Sequence, residues 1–318
     1  MISKRPGPGK IVLRKRFSVL SIVIFVVLIF PWAVPFAARA DEAKINVVTT
    51  LSVLKDFVEQ IGQTRVSVSS LLTGMESEHT YTPKPSDILA IKKAQILVQI
   101  GLGLEVWVQG LISNAENPGL LVLTTSDGIP LIREEEKHIE SDDARHNEAG
   151  NPHIWLDPEN AKNMVRKITE GLIKKDPAGK DFYLKNQGIY LMKLDGMETS
   201  LLNELKVLKN KTIVTQHSAW PYFTRRFGFR VAGNIMTQIG SEPSAKQVKD
   251  LINLIRKNNI RVIISEPQLS PKIPQILAAE TGAKLIVLSP LTGAIPGTET
   301  YLSLIEYNVR QMIEAIQH

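Results

Sequence analysis

Short apolar runs alternate with helix-length segments twice along this chain, once on each side of a long helical segment. Such alternation is typical of parallel β-sheets whose two faces are covered by helices. The sequence therefore predicts an α/β fold of two parallel-sheet lobes joined by one long linking helix. The predicted strands are 44–50, 66–73, 95–100, 120–124, 211–215, 230–233, 260–265 and 284–288. The predicted helices outside the linker are 52–61, 86–93 (capped by Ser86), 103–114, 219–227, 244–258, 271–281 and 299–316.

The linking helix is predicted from apolar residues that recur at spacings of three and four between residues 177 and 209. An unbroken helix of that length would span about 50 Å, enough to bridge two lobes. An acidic stretch at 133–150 interrupts the first alternation and is predicted to be a loop. The predicted organisation is a signal peptide, an N-terminal lobe containing the acidic loop, the linking helix and a C-terminal lobe. Their boundaries are 1–40, 41–175, 176–209 and 210–318.

The first 40 residues carry the features of a secretory signal peptide. Seven basic residues and no acid precede or flank an apolar run at 17–30, and Ala38-Arg39-Ala40 forms a small-x-small site. We expect cleavage after Ala40 and a periplasmic mature chain, with an uncleaved N-terminal anchor as the alternative. The net charge of +6 thus belongs to this segment, and the remainder carries about −1, which argues against nucleic acid as a partner.

Cysteine is absent from the sequence. This excludes a disulfide scaffold, a cysteine zinc site, an iron–sulfur cluster and a thiol nucleophile within the chain. It also predicts that the chain has no lipid anchor on a cysteine.

Three of the six histidines occur in loops where ligand sites of α/β folds form. His79 follows the second predicted strand, His153 precedes a predicted helix, and His217 follows the strand at 211–215. Ligands of open parallel sheets bind at the carboxyl ends of strands. Three imidazoles contributed by both lobes would form a site for zinc or a similar metal in the cleft between the lobes. A structural or surface role for each histidine is the alternative.

The sequence around these histidines resembles a known family of metal-binding proteins. The matching blocks are EHTYTPKPSD at 78–87, NPHIWLDP at 151–158, QHSAWPYF at 216–223 and SEPQ at 265–268. They resemble the solute-binding proteins of zinc and manganese ABC importers, the ZnuA/TroA-like group (cluster A-I). The resemblance implies two α/β lobes joined by a rigid helix, metal ligation by His79, His153 and His217, and a membrane permease as partner. We also expect a monomer. A further possibility is an exported adhesin or structural protein in which the metal only stiffens the fold.

The fourth ligand is the point at which this chain departs from the family pattern. Ser289 stands where the family usually has an Asp before Pro-Leu-Gly, and a hydroxyl is a poor zinc ligand. Glu78 is the first candidate for the fourth ligand, a water the second and Glu266 the third. Three imidazoles and one carboxylate favour Zn²⁺ over Mn²⁺ or Fe²⁺. His138 and His146, within the acidic loop, are candidates for accessory metal capture, and a solvated charged loop is the alternative.

The sequence leaves open the roles of two aspartates and one alternative function. Asp87 and Asp157 are candidates to orient the histidine rings, and a helix cap is an equally good account of Asp157. An exported hydrolase with three histidine ligands and an open water position is the alternative to a binding protein. The sequence contains no HExxH motif, and we therefore expect that the protein is not an enzyme.

Overall fold

The computed structural model describes residues 44–133, 150–237 and 240–317, together with Gly7 and Gly9. Apart from these two glycines, the predicted signal peptide with its cleavage site lies outside the described residues, as does nearly all of the acidic loop with His138 and His146. Within the described ranges, no helix combines the length and hydropathy that a membrane crossing requires.

The first sheet contains four parallel strands in the order β2-β1-β3-β4. The strands are β1 (Ile45–Thr49), β2 (Val66–Ser70), β3 (Ile96–Gln99) and β4 (Leu121–Thr124). Helices α1 (Ser52–Gly62), α2 (Pro85–Lys93) and α3 (Val108–Ala115) connect them. Successive residues within a strand, such as Val47 and Val48 of β1, point to opposite faces of the sheet and are both buried. This is expected for a parallel sheet that is covered on both faces.

The second sheet repeats the same topology with the order β6-β5-β7-β8, again all parallel. The strands are β5 (Thr212–Thr215), β6 (Arg230–Asn234), β7 (Val262–Ser265) and β8 (Lys284–Val287). In chain order, its helices are α6 (Pro221–Phe227), α7 (Ala245–Lys257), α8 (Lys272–Thr281) and α9 (Tyr301–Gln317). The prediction of eight strands in two α/β lobes is confirmed.

Between the sheets, two consecutive helices connect the lobes. Helix α4 (Pro158–Lys175) is followed by α5 (Lys180–Glu204), and short 3₁₀ turns at Pro177–Gly179 and Leu205–Val207 flank α5. The α-helical part of the linker is therefore shorter than the predicted 177–209 and spans about 37 Å. Asp176 explains the late start, because its side chain accepts a hydrogen bond from the Gly179 amide and closes the first 3₁₀ turn.

Two local predictions differ from the structure. The helix expected over 103–114 begins only at Val108, because Gly101, Leu102 and Gly103 all have positive φ and form turns instead. The helix expected to be capped by Ser86 begins at Pro85, and Asp87 accepts the Lys84 amide at its start.

A single apolar core runs through both lobes and the linking helices, from Ile45 to Ala315. A smaller second core lies in the C-terminal lobe, around Val214, Leu251 and Leu277. Asp56 ties the C-terminal helix to the first lobe, since it accepts hydrogen bonds from the Tyr301 amide and the Tyr190 hydroxyl. The two lobes are therefore packed into one continuous structure.

Candidate metal centre

Four side chains from three loops converge at the carboxyl ends of the two sheets. Glu78 and His79 lie in the loop after β2, His153 lies just before α4, and His217 lies two residues after β5. One potential ligand atom of each lies within 4.8 Å of the other three. The structure thus brings together the three predicted histidines and the first candidate for the fourth ligand.

The spacing of these atoms suits a tetrahedral ion. His153 Nε2 lies 3.1 Å from His79 Nε2, 3.4 Å from His217 Nε2 and 3.3 Å from Glu78 Oε1. Glu78 Oε1 lies 3.9 Å from His79 Nε2. A tetrahedron around zinc with bonds of 2.0–2.1 Å has edges of about 3.4 Å. The donors therefore stand close to the positions that a tetrahedral metal requires.

His153 is oriented by the loop that carries it. Its Nδ1 lies 3.1 Å from Asn151 Oδ1, which also accepts the His153 amide. Because an amide oxygen only accepts, Nδ1 carries the proton and Nε2 presents a lone pair to the cluster. Burial, followed by the charge of His217, lowers the pKa of His153 well below its usual value. A neutral imidazole, the form that binds metal, is thus favoured here.

His217 is oriented by a carboxylate. Its Nδ1 lies 2.8 Å from Glu266, which also accepts a hydrogen bond of 3.2 Å from Trp220 Nε1. Burial lowers the pKa of His217, but the adjacent Glu266 carboxylate outweighs burial and the net pKa is raised. A carboxylate on Nδ1 fixes the tautomer and makes Nε2 a stronger donor to metal.

Glu78 is held with its carboxylate buried in the cluster. The Glu78 side chain is 2% exposed, and among the described residues its Oε1 has no hydrogen-bond donor. Trp107 Nε1 donates to the Glu78 carbonyl, and the Trp107 ring packs edge-to-face on Tyr81. A buried carboxylate oxygen without a hydrogen-bond donor destabilises the folded state unless a cation binds it. The donor set therefore fits a metal ion.

The two other candidates for the fourth ligand make different contacts. Glu266 lies behind His217, on the ring nitrogen that faces away from the other histidines. The Ser289 hydroxyl is buried; it donates to Leu291 O and accepts from Leu291 N and Gln268 Nε2. The hydroxyl of Ser289 therefore makes its hydrogen bonds to other residues of the protein.

Neither aspartate that was a candidate ring-orienting group is hydrogen-bonded to a histidine in the described structure. Asp87 accepts from the Tyr81 hydroxyl and the Lys84 amide, which shapes the loop after His79. Asp157 caps α4 by accepting the Glu159 amide, as the alternative reading predicted. The same carboxylate receives two hydrogen bonds from the Arg226 guanidinium on α6 of the other lobe.

The ring-orienting residues Asn151 and Glu266 were not assigned that role from the sequence. Asn151 also donates to Ser218 O, beside His217, and thereby links two ligand loops across the lobes. Arg226 contacts both Asp157, the N-cap of α4, and Glu198 on α5. An Asn two residues before a ligand histidine was the available signal for Asn151, whereas nothing local distinguished Arg226.

Comparison with known proteins identifies the family. A family model for ZnuA, the periplasmic component A of a zinc-uptake complex, matches residues 47–315. The chain belongs to this family. It is 32% identical over 81% of its length to the high-affinity zinc uptake system protein ZnuA of Bacillus subtilis, covering 82% of that protein. It is 26% identical over 94% of its length to the manganese-binding lipoprotein MntA of Halalkalibacterium halodurans, covering 98% of it.

A solved crystal structure of ZnuA has the same fold. It superposes with a TM-score of 0.75 at 28% identity and covers 86% of this chain and 99% of that one. The family assignment confirms the resemblance on which the sequence-based function was built.

Proposed function

We propose that this protein captures Zn²⁺ outside the cytoplasm and delivers it to the membrane permease of an ABC importer. The cluster of Glu78, His79, His153 and His217 carries the proposal, because four donor atoms stand at the spacing of a tetrahedral shell. In this assignment Glu78 is the fourth ligand, while Glu266 orients His217. Ser289 stays outside the shell.

Zinc is favoured over manganese by the chemistry of the donors. Three imidazole nitrogens and one carboxylate suit Zn²⁺, whereas Mn²⁺ prefers a larger share of oxygen ligands. The manganese-binding relative makes Mn²⁺ the second candidate. Catalysis is not part of the proposal, because four protein donors leave no coordination position for an activated water.

Competition dialysis tests the metal and the ligands together. Metal-free protein dialysed against equal concentrations of Zn²⁺ and Mn²⁺ should retain one Zn²⁺ per chain. His153→Ala should weaken zinc binding by about 10²–10³-fold, since it removes one of four donors. His318→Ala, which removes a histidine that is not a candidate ligand, is the matched control and should bind as the parent does. Retention of Mn²⁺ by the parent protein would overturn the zinc assignment.

Several finer points remain predictions. Export by a cleaved signal peptide and the absence of a lipid anchor on a cysteine are predicted from the sequence, and a monomeric state is expected. Accessory capture by His138 and His146 predicts a second, weaker zinc-binding event in calorimetry. That event should disappear in the double His→Ala variant while the first is unchanged, and persistence of both events would refute accessory capture.

A further inference from the structure

A cavity of about 250 Å³ adjoins the metal centre on the side of the second lobe. Ser77 and Thr80, which flank the Glu78–His79 pair, line it from the first lobe. Gln216, which precedes His217, and Gln268 line it from the second lobe. The cavity is therefore built from the immediate chain neighbours of three of the four metal-site residues.

The exposure of the cluster is uneven in a way that points to this cavity. The side chains of Glu78, His153 and His217 are 2%, 3% and 6% exposed, whereas that of His79 is 20% exposed. An ion arriving from solvent must therefore meet His79 first. Thr80, directly after His79, and Ser77, two residues before it, both line the cavity, which places the cavity beside the most exposed residue of the cluster.

The volume of the cavity accommodates a hydrated ion, and polar groups line one part of a wall that also contains apolar residues such as Ile235 and Ile273. Six waters at about 30 Å³ each, the first shell of a small divalent cation, need about 180 Å³. Coordinated waters are strong hydrogen-bond donors, and the wall offers them acceptors. Gln268 Oε1 is buried with no hydrogen-bond partner among the described residues. Glu242 is an exposed carboxylate with no cation paired to it in the described structure.

We propose that this cavity is an antechamber that holds a hydrated divalent cation before it enters the four-residue cluster. The inference rests on the proposed metal-binding function and adds a second, outer-sphere site to it. Glu242 attracts the ion, and Gln268 Oε1 with the Ser77 and Thr80 hydroxyls accepts hydrogen bonds from its waters. The ion then exchanges water for imidazole at His79.

A site on the entry path has a kinetic signature that a ligand lacks. The same passage serves entry and exit, so weakening it slows association and dissociation together and leaves Kd nearly unchanged. Loss of a ligand instead speeds dissociation and raises Kd. Stopped-flow zinc binding, with chelator-induced release, separates the two cases.

Charge variants of Glu242 provide the main test. At low ionic strength Glu242→Gln should slow both rate constants about five-fold, and Glu242→Lys about twenty-fold, as expected for a divalent ion separated from the side chain by a layer of coordinated water. Asp250→Asn is the matched control, because Asp250 is an exposed acid of the same lobe, on α7, that does not line the cavity. It should change either rate less than two-fold. The effects of the Glu242 variants should shrink as salt is added.

A steric variant tests the same path without charge. Ser270 lines the cavity and is exposed, so Ser270→Trp narrows it without disturbing the core. Both rates should fall to a similar extent, independently of salt. Unchanged rates in Glu242→Lys and Ser270→Trp would overturn the antechamber while leaving the zinc site intact. Failure of the unaltered protein to bind zinc would instead refute the proposed function itself.

Discussion

The two lobes share one strand order, yet the crevices at the carboxyl ends of their sheets differ. In the first lobe the crevice between β1 and β3 is filled by Glu105. Its carboxylate accepts hydrogen bonds from the Thr50 hydroxyl and from the amides of Ile100 and Gly101. In the second lobe the equivalent crevice, between β5 and β7, is bordered by His217 and Glu266.

The same strand order thus forms a filled crevice in the first lobe and a crevice that borders the candidate metal centre in the second. Both crevices contain a buried glutamate at the switch point of the strand order, where open α/β sheets form ligand sites. The Glu105 carboxylate accepts hydrogen bonds from nearby backbone amides and fills the crevice. The Glu266 carboxylate is hydrogen-bonded to the side chains of His217 and Trp220, and the His217 imidazole faces the cleft. The donors of the first lobe, Glu78, His79 and His153, therefore lie outside the crevice between β1 and β3, in the loop after β2 and in the segment before α4.

The largest expected effect comes from neutralising the glutamate of the second lobe. Glu266→Gln keeps the shape but removes the charge behind His217, which should weaken zinc affinity by about 10–100-fold. The free energy of unfolding of the metal-free protein should change by less than about 1 kcal/mol, because the lost attraction is offset by a smaller desolvation cost. Isothermal titration and urea unfolding measure the two quantities.

The same substitution in the first lobe should have the opposite profile. Glu105→Gln places an amide NH₂ against the Gly101 N–H, which now bonds to a carboxylate oxygen at 2.9 Å. One buried donor loses its acceptor, and the free energy of unfolding should fall by about 1–2 kcal/mol. Zinc affinity should change less than three-fold. If Glu105→Gln weakened zinc binding as much as Glu266→Gln, the division of roles between the crevices would be wrong.

A smaller effect concerns pH. Burial raises the pKa of Glu105 above its usual value, against the opposing hydrogen bonds from Ile100 and Thr50. The folded chain therefore binds this proton more tightly than the unfolded chain. The resulting stability is fully present below the unfolded pKa of about 4.3 and is lost as pH rises through the folded value. The stability advantage of the parent over Glu105→Gln should narrow from pH 4 to pH 7 in urea unfolding of the metal-free proteins. An advantage that widened with pH would contradict it.

The sequence predicted the elements and the histidines that converge at the candidate metal centre because both leave local signals. Strands β5 and β7 are short apolar runs in the sequence. His79, His153 and His217 each lie in a distinctive sequence block next to a predicted element. The choice of Glu78 as first candidate rested on its position beside His79 together with the resemblance to zinc-type members of the family. These features depend on a few adjacent residues, which pattern reasoning can read.

The remaining features depend on contacts between distant segments. Glu266 reaches His217 across 49 residues, and Arg226 reaches Asp157 across 69. The first of these contacts is set by the pairing of β5 with β7, and the second by the packing of the two lobes. The late start of α3 has a local cause, the turns at Gly101–Gly103, which Glu105 helps to hold through the amides of Ile100 and Gly101.

Anomalous diffraction at the zinc edge from crystals of the zinc-loaded protein tests the central claim most directly. The account predicts one strong peak bound by Glu78 Oε1 and the Nε2 atoms of His79, His153 and His217, with Glu266 on His217 Nδ1 and Ser289 outside the shell. A peak whose fourth ligand is water, Glu266 or Ser289, or no peak at the cluster, would contradict it.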